Sequence, residues 1–218
     1  MNPGRIARMA FTGFPPEAIT FYAGLEQDNS RDYWQAHKQT YAAAVRGPLE
    51  ALLDDLADEF GEAKVFRPNR DVRFSADKSP YKDHQGAIVG RDTTLGLYLG
   101  ISADGLVAGG GFRAASSDLT RRFRAAVDAP ESGLSLVAIM AGLEGAGFAP
   151  HGEQVATAPR GFAKDHPRIA LLRRKELFLM RDFGVPPWLS TPRTRDEVAA
   201  VWRTLTPLRA WLQDHVAP

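Results

Sequence analysis

The chain has 218 residues, of which 44% are hydrophobic and 24% charged, a composition ordinary for a soluble protein with a sizeable core. Its formal net charge of +1 excludes a global field that would drive nucleic-acid or membrane binding, so any electrostatic function must come from local clusters. The absence of cysteine excludes disulfides, a thiol nucleophile and a thiolate metal site.

Three helices are predicted in the N-terminal part. The first begins near Pro15 or Pro16, because proline suits a first helical turn, and Asn29 or Ser30 can cap the second. The third covers 48–62, where leucines at helical spacing form an apolar stripe and six acids fill the remaining positions. We interpret these acids as a solvated face, because no Glu-x-x-His pattern accompanies them.

Strands are predicted in the middle of the chain, at 86–90, 95–102 and 105–112, and again at 176–184. The pair Asp104-Gly105 indicates a hairpin, since glycine readily adopts a positive φ. The triple glycine at 109–111 lacks the neighbours of a nucleotide-binding loop. We interpret it as a bulged strand end rather than as an anion-binding loop.

Later helices are predicted over 116–130, 131–147 and 195–216, the last kinked or divided by Pro207. The order of elements predicts an α+β fold with a central, mainly antiparallel sheet flanked by N- and C-terminal helices. We expect one domain over 1–218, with its core at about 11–215 and an N-terminal extension at 1–10. The N-terminus shows no secretory signal and no apolar run approaches the roughly 20 residues of a membrane span, so a cytoplasmic protein is expected.

The segment "RPNRDVRFSADKSPYK", called the basic segment here, concentrates cations in a nearly neutral chain. It carries two acids, Asp71 and Asp77, against five cations: Arg67, Arg70, Arg73, Lys78 and Lys82. Arginine and lysine are the side chains that hold phosphate and carboxylate groups. The alternative is a network of internal ion pairs, in which the acidic helix at 48–62 docks on these cations.

The local conformation of the basic segment follows from alternation and from Pro80. If residues 70–75 are extended, Val72 and Phe74 face the core, while Asp71, Arg73 and Ser75 share the polar face. Asp71 can then orient Arg73. Pro80 disfavours a helix at the preceding residue, so 77–82 should form a rigid turn, with Asp77 or Ser75 bonded to local backbone.

The spacing Arg67-x-x-Arg70-Asp71-x-Arg73-Phe74-x-x-x-Lys78-x-x-Tyr81 resembles the signature of a mainly bacterial family, domain of unknown function 2461. "FTGFPPEAITFYAGLEQDNSRDYW", "LGLYLGIS" and "PRGFAKDHP" with the later Lys175 are also similar to that family. The resemblance extends from about Phe11 to the final helix, with one departure: Asp28-Asn29 stands where the family often has Asn-Asn. It implies the structural unit and its motifs but no reaction, and it leads us to the hypothesis that the two charged motifs are halves of one site.

The second charged motif is Arg160–His166. Pro159-Arg160-Gly161 is typical of a turn, and a helix is predicted to begin near Pro167. Asp165 either caps that helix or orients His166 as an acid or base. His84, His151 and His166 lack metal-ligand spacing, so no metal or cofactor is predicted.

Three functions remain open. The preferred one is a site for an anionic small molecule bearing phosphate or carboxylate, acting as a binding site or an enzyme. The alternatives are a nucleic-acid-binding module, with Tyr81, Phe74 or Phe112 stacked on bases, and a scaffold whose cations pair internally. The predicted ligand-binding residues are Arg67, Arg70, Asp71, Arg73, Lys78, Tyr81, Lys82, Arg160 and Lys164, and the predicted catalytic residues are His166 and Asp165.

Overall fold

The computed structural model of the protein describes residues 10–73, 77–90, 95–114 and 116–217. Its helices are α1 (Glu17–Gln27), α2 (Arg31–Thr40), a π-helix (Tyr41–Arg46), α3 (Gly47–Phe60), α4 (Ser117–Asp128), α5 (Pro130–Gly145), α6 (Ile169–Leu172), a 3-10 helix (Pro187–Ser190), α7 (Arg193–Thr204) and α8 (Thr206–His215). Its strands are β1 (Ala63–Val65), β2 (His84–Val89), β3 (Leu95–Ser102), β4 (Gly105–Arg113), β5 (Pro150–His151) and β6 (Glu176–Gly184).

Within the described residues, six strands form one open antiparallel sheet in the order β1-β2-β3-β4-β6-β5. N- and C-terminal helices flank it, so the predicted α+β class with a central antiparallel sheet is confirmed. Two strands were not predicted, β1 and β5, because three and two residues are too short for a recognisable alternation.

The N-terminal helices begin where local chemistry requires. Helix α1 follows Pro16, as predicted. Ser30 caps α2, since its hydroxyl accepts the Tyr33 N–H at 3.1 Å, and Asn29 has another role described below. The apolar stripe of α3 is buried as predicted: Leu49, Leu52, Leu53, Leu56 and Phe60.

The glycine-rich strand β4 depends on close backbone packing. Gly105 opens it with φ +118°, and the hairpin after β3 is confirmed. The triple glycine lies in the last five residues of β4, so the strand predicted over 105–112 is confirmed, and the bulge at its end stays a prediction. A Cβ at Gly109 would meet the Leu179 oxygen at 2.3 Å, and one at Gly111 would meet the Leu177 oxygen at 2.0 Å. The close approach of β6 therefore requires glycine at these positions.

The C-terminal helical region is divided, as predicted at Pro207. Helix α7 ends at Thr204 and α8 begins at Thr206, with the proline in its first turn, where its missing N–H is tolerated. No single helix of the described residues has the length and apolarity to cross a membrane; α4 and α5 pass that test only as a pair bent by 91°.

The chain divides into two compact units. Unit 1 comprises residues 1–89, 99–107 and 182–200, and unit 2 comprises 90–98, 108–181 and 201–218. The core of unit 1 includes an aromatic cluster in which Phe21 lies 5.7 Å from Trp34 and 5.6 Å from Tyr41, between ring centroids. In unit 2, Phe112 stacks on Phe123 at 5.0 Å. The expected single domain over 1–218 stays a prediction.

Candidate anion-binding site

The ends of the basic segment pair with each other in unit 1. The Arg70 N–H donates to the Pro80 oxygen at 2.9 Å, and the Lys82 N–H donates to the Pro68 oxygen at 2.8 Å. Asn69 and Tyr81 lie opposite each other between these two bonds. Residues 68–70 and 80–82 thus form a short antiparallel ribbon, which we call the basic ribbon, closed by the loop 71–79.

Tyr81 anchors this ribbon to the N-terminal helices. Its ring is 6% exposed and stacks on Trp34, with centroids 4.2 Å apart and planes inclined by 9°. The Asn29 carboxamide donates to the Tyr81 oxygen at 3.0 Å and accepts the Tyr81 N–H at 3.1 Å. Asn29 therefore completes the hydrogen bonding of a strand edge, and the buried ring of Tyr81 supports the site rather than facing a ligand.

Two predicted cations of the basic segment pair with acids of the same segment or next to it. Arg70 contacts the carboxylates of Asp77 and Asp83, the latter at 3.0 Å. The Arg73 guanidinium donates two hydrogen bonds to the Asp71 carboxylate, at 2.9 and 2.6 Å. Asp71 therefore orients Arg73, as expected. The acids that pair with Arg70 and Arg73 in these contacts do not come from α3, so the alternative in which the acidic helix docks on the cations does not account for these pairs.

The loop of the ribbon has the predicted turn chemistry at its second half. The Asp77 carboxylate accepts the Ser79 N–H at 2.9 Å, and hydrogen bonds from the Ser79 hydroxyl and N–H, together with the charge of Arg70, lower the pKa of Asp77. Lys78 donates to the Val72 oxygen at 2.9 Å. Phe74 and Ser75 lie outside the described residues. The alternation predicted over 70–75 therefore stays a prediction.

Lys82 has a different environment from Arg70 and Arg73. Its ammonium lies 5.3 Å from the ring centroid of Phe66 and, in the described part of the chain, pairs with no carboxylate. Burial lowers the pKa of Lys82, and the positive charges of Arg67 and Arg70 lower it further. Arg67 is exposed and likewise has no ion pair among the described residues.

A bulge beside Lys82 sets the positions of these cations. The Phe66 N–H donates to the Gly86 oxygen at 3.0 Å, and the next bond of the ladder joins Lys82 to Pro68, so Arg67 alone faces residues 83–85. The buried Gln85 amide donates to the Phe66 oxygen at 2.8 Å and accepts the Tyr41 hydroxyl at 2.6 Å. Gln85 therefore satisfies the carbonyl that the bulge removes from the ladder.

The second charged motif lies in unit 2, where its histidine is held by two partners. His166 Nδ1 accepts the Arg168 N–H at 3.0 Å, and its Nε2 lies 3.1 Å from an Asp128 carboxylate oxygen. This geometry indicates the neutral tautomer protonated at Nε2. Asp128, from the end of α4, orients the imidazole, so the predicted orienting role of Asp165 is wrong.

Asp165, the predicted cap of the short helix in this loop, α6, does not have that role. Helix α6 begins at Ile169, and its N-cap, Arg168, makes no side-chain cap bond, so Asp165 does not cap it. Instead, the Arg168 guanidinium donates to the Val127 oxygen at 2.6 Å and to the Asp128 oxygen at 2.7 Å. Arg168 thereby ties this loop to the carboxyl end of α4, where carbonyl groups lack helical partners.

The structure brings the predicted residues together as two groups. Those of unit 1 lie in the basic ribbon, in its loop or, for Arg67, directly before it: Arg67, Arg70, Asp71, Arg73, Lys78, Tyr81 and Lys82. Those of unit 2 share one loop, in which Arg160, Lys164 and Asp165 are exposed and His166 is half-buried. The hypothesis that both groups form one site stays a prediction.

Sequence reasoning missed four residues around these groups: Asn29, Asp83, Gln85 and Arg168. Only two carried a recognisable signal, since Asn29 belongs to the N-terminal pattern and Gln85 is a polar residue followed by an apolar strand. Among the described residues, no three His, Asp or Glu side chains converge in the arrangement that a metal ion needs.

Comparison with known proteins finds a family model that matches most of the chain. The family model described as "Conserved hypothetical protein (DUF2461)" matches residues 17–211. The match includes the basic ribbon and the loop of the second motif. No curated protein and no solved structure matches the chain.

Proposed function

We propose that this chain, which belongs to the DUF2461 family, binds an anionic small molecule on the basic ribbon of unit 1, with Arg67 and Lys82 making the contacts. The observation that carries the proposal is the half-buried Lys82 ammonium, which lies 5.3 Å from the Phe66 ring centroid and has no carboxylate partner in the chain as described; the charges of Arg67 and Arg70 repel it and lower its pKa. A phosphate or carboxylate group is the chemistry that fits such a position.

The energetic reason is the unbalanced charge beside Lys82. Burying an ammonium near like charges is unfavourable unless an anion pairs with it. Arg70 lies in residues 68–70, the strand of the ribbon that faces the one with Lys82. Its guanidinium adds positive charge at a fixed position, because it is paired with Asp77 and Asp83. A bound anion would neutralise the repulsion without displacing these internal pairs.

The proposal concerns binding and assigns no reaction. A catalytic version would need His166 as an acid or base, yet both of its ring nitrogens are engaged, by the Arg168 N–H and by Asp128. Stacking of bases on Tyr81 or Phe112 is also disfavoured, because these rings are 6% and 0% exposed. A small molecule is therefore preferred to a nucleic acid.

The test is an unbiased metabolite-binding screen followed by calorimetric titration with phosphate, pyrophosphate and any compound found. Lys82→Met keeps an aliphatic chain over Phe66 but removes the charge. We expect it to lower anion affinity about tenfold, the equivalent of one charge-assisted hydrogen bond. Lys38→Met, which removes an exposed lysine of α2, is the matched control and should leave the affinity unchanged.

Two results would overturn the proposal. The first is a screen and titrations that detect no anion at millimolar concentration. The second is equal loss of affinity in Lys82→Met and Lys38→Met, because the binding would then depend on total charge rather than on the ribbon. Arg67→Gln gives an independent check and should weaken binding in the same direction as Lys82→Met.

A further inference from the structure

Strand β1 forms an open edge of the sheet. It stands first in the strand order and pairs with β2 alone, with Lys64 opposite Ile88. The Phe66 N–H donates to the Gly86 oxygen, and hydrogen bonds alternate along an antiparallel strand. The backbone groups of Lys64 therefore point toward β2, and those of Ala63 and Val65 point away from it.

The outward backbone groups of Ala63 and Val65 have no hydrogen-bond partner among the residues that the structure describes. Unpaired N–H and C=O groups on a sheet edge are a template for a further strand. Extended peptides bind proteins in this way, with backbone bonds supplying affinity and side-chain pockets supplying specificity.

A groove lies directly beside this edge. One wall is a single face of α3, formed by Glu50, Leu53, Asp54 and Ala57 at helical spacing, and the other is β1 with Glu62 before it. Its volume is about 420 Å³, within the size range of ligand-binding clefts. The groove is thus bounded by the same residues whose backbone groups are unpaired.

The charge of the groove indicates its occupant. Among the described residues that line it, Glu50, Asp54 and Glu62 carry carboxylates, and Arg46, which is bonded to Glu50, carries a positive charge. Leu53, Ala57 and Val65 supply the apolar part of the two walls. A segment that carries lysine or arginine among aliphatic residues complements this lining, whereas an acidic segment would be repelled.

We propose that this edge and groove bind an extended, lysine- or arginine-bearing segment of a partner protein, which adds a strand beside β1. The backbone of Ala63 and Val65 pairs with the segment, and its cations face the carboxylates of α3 and Glu62. The positive charge of Lys64 does not repel this segment, because side chains alternate along a strand and the Lys64 side chain points to the face opposite that of Ala63 and Val65. The site is separate from the basic ribbon and does not depend on the anion proposal.

The test uses a capped heptapeptide of alternating lysine and valine, and the same peptide with glutamate in place of lysine. Binding of the lysine peptide should slow hydrogen exchange at the Ala63 and Val65 amides, measured by nuclear magnetic resonance. The glutamate peptide should not bind. Ala63→Pro removes one outward N–H at the first position of an edge strand, where proline is tolerated, and should lower the affinity about fivefold.

A second variant keeps the test informative if Ala63→Pro disturbs folding. Glu62→Gln leaves the backbone unchanged and should weaken binding of the lysine peptide, with the unfolding temperature unaltered. The proposal is overturned if the lysine peptide does not bind, if both peptides bind equally, or if the protected amides lie away from β1. Protection of Ala63 and Val65 through dimerisation of the chain, seen by sedimentation without peptide, would also overturn it.

Discussion

Arg70 and Lys82 lie on the two arms of one ribbon and have opposite environments. Arg70 is held by the carboxylates of Asp77 and Asp83, and Lys82 stands over Phe66 with its pKa lowered by burial and by two guanidinium groups. The pair of Asp71 and Arg73 is exposed on both sides, so it adds little stability and mainly orients Arg73. Single side chains of the basic segment therefore serve different purposes.

The first prediction at this scale concerns Asn29. Asn29→Ala removes both partners of the Tyr81 backbone, and we expect the free energy of unfolding to fall by about 1–3 kcal/mol, the cost of stranding a buried polar group. Urea unfolding measures this loss. Asn69→Ala, the same change at an exposed position of the ribbon, is the control and should cost less than about 0.5 kcal/mol. Equal effects would contradict the anchoring role.

The second prediction concerns pH and Lys82. The pKa of Lys82 in the folded protein lies below 10.5, the ordinary value of lysine, so between the two values the unfolded chain binds more protons and stability rises with pH. The unfavourable contribution of the ammonium is fully present below the folded pKa and disappears as pH rises toward 10.5.

Urea unfolding of the unaltered protein and of Lys82→Met should therefore show a stability difference that shifts in favour of the unaltered protein as pH rises from 7 toward 10.5. Other titrating groups are common to both proteins and cancel in the comparison. A difference that stays constant over this range would contradict the cause assigned to the pKa shift.

Among the structural elements, a β-bulge and a four-residue helix position the two charged motifs. The bulge opposite Arg67 needs the buried Gln85 amide, which in turn is bonded to Tyr41 at the start of the π-helix. In unit 2, the four-residue helix α6 starts where Arg168 reaches the last carbonyls of α4. Gly133 leaves room for this reach, since a Cβ there would meet Arg168 Nε at 2.6 Å.

At the scale of the whole molecule, the proposed anion contacts come from unit 1, to which both Arg67 and Lys82 belong. Arg67→Gln and Lys82→Met should each weaken pyrophosphate binding, and their combined effect should be non-additive, as expected for residues that share a ligand. Calorimetry in a double-mutant cycle measures this coupling. Strictly additive effects would contradict a ligand held by both cations.

Patterns in the sequence predict the antiparallel α+β class, the capped and proline-initiated helices, the hairpin at Gly105 and the clustering of cations in the basic segment. These features depend on local rules: periodicity, capping and turn chemistry act within a few residues. For the same reason the bidentate pair of Asp71 and Arg73, two residues apart, could be predicted.

Contacts between distant segments, in contrast, establish many of the partners of the charged and polar side chains. Asn29 reaches Tyr81 across 52 residues, and Asp128 rather than Asp165 orients His166. The same holds for the need for glycine at Gly109 and Gly111, which comes from the close approach of β6. Contacts between distant segments form through packing of the whole chain, and no local pattern of residues records which carboxylate or carbonyl a given side chain will meet.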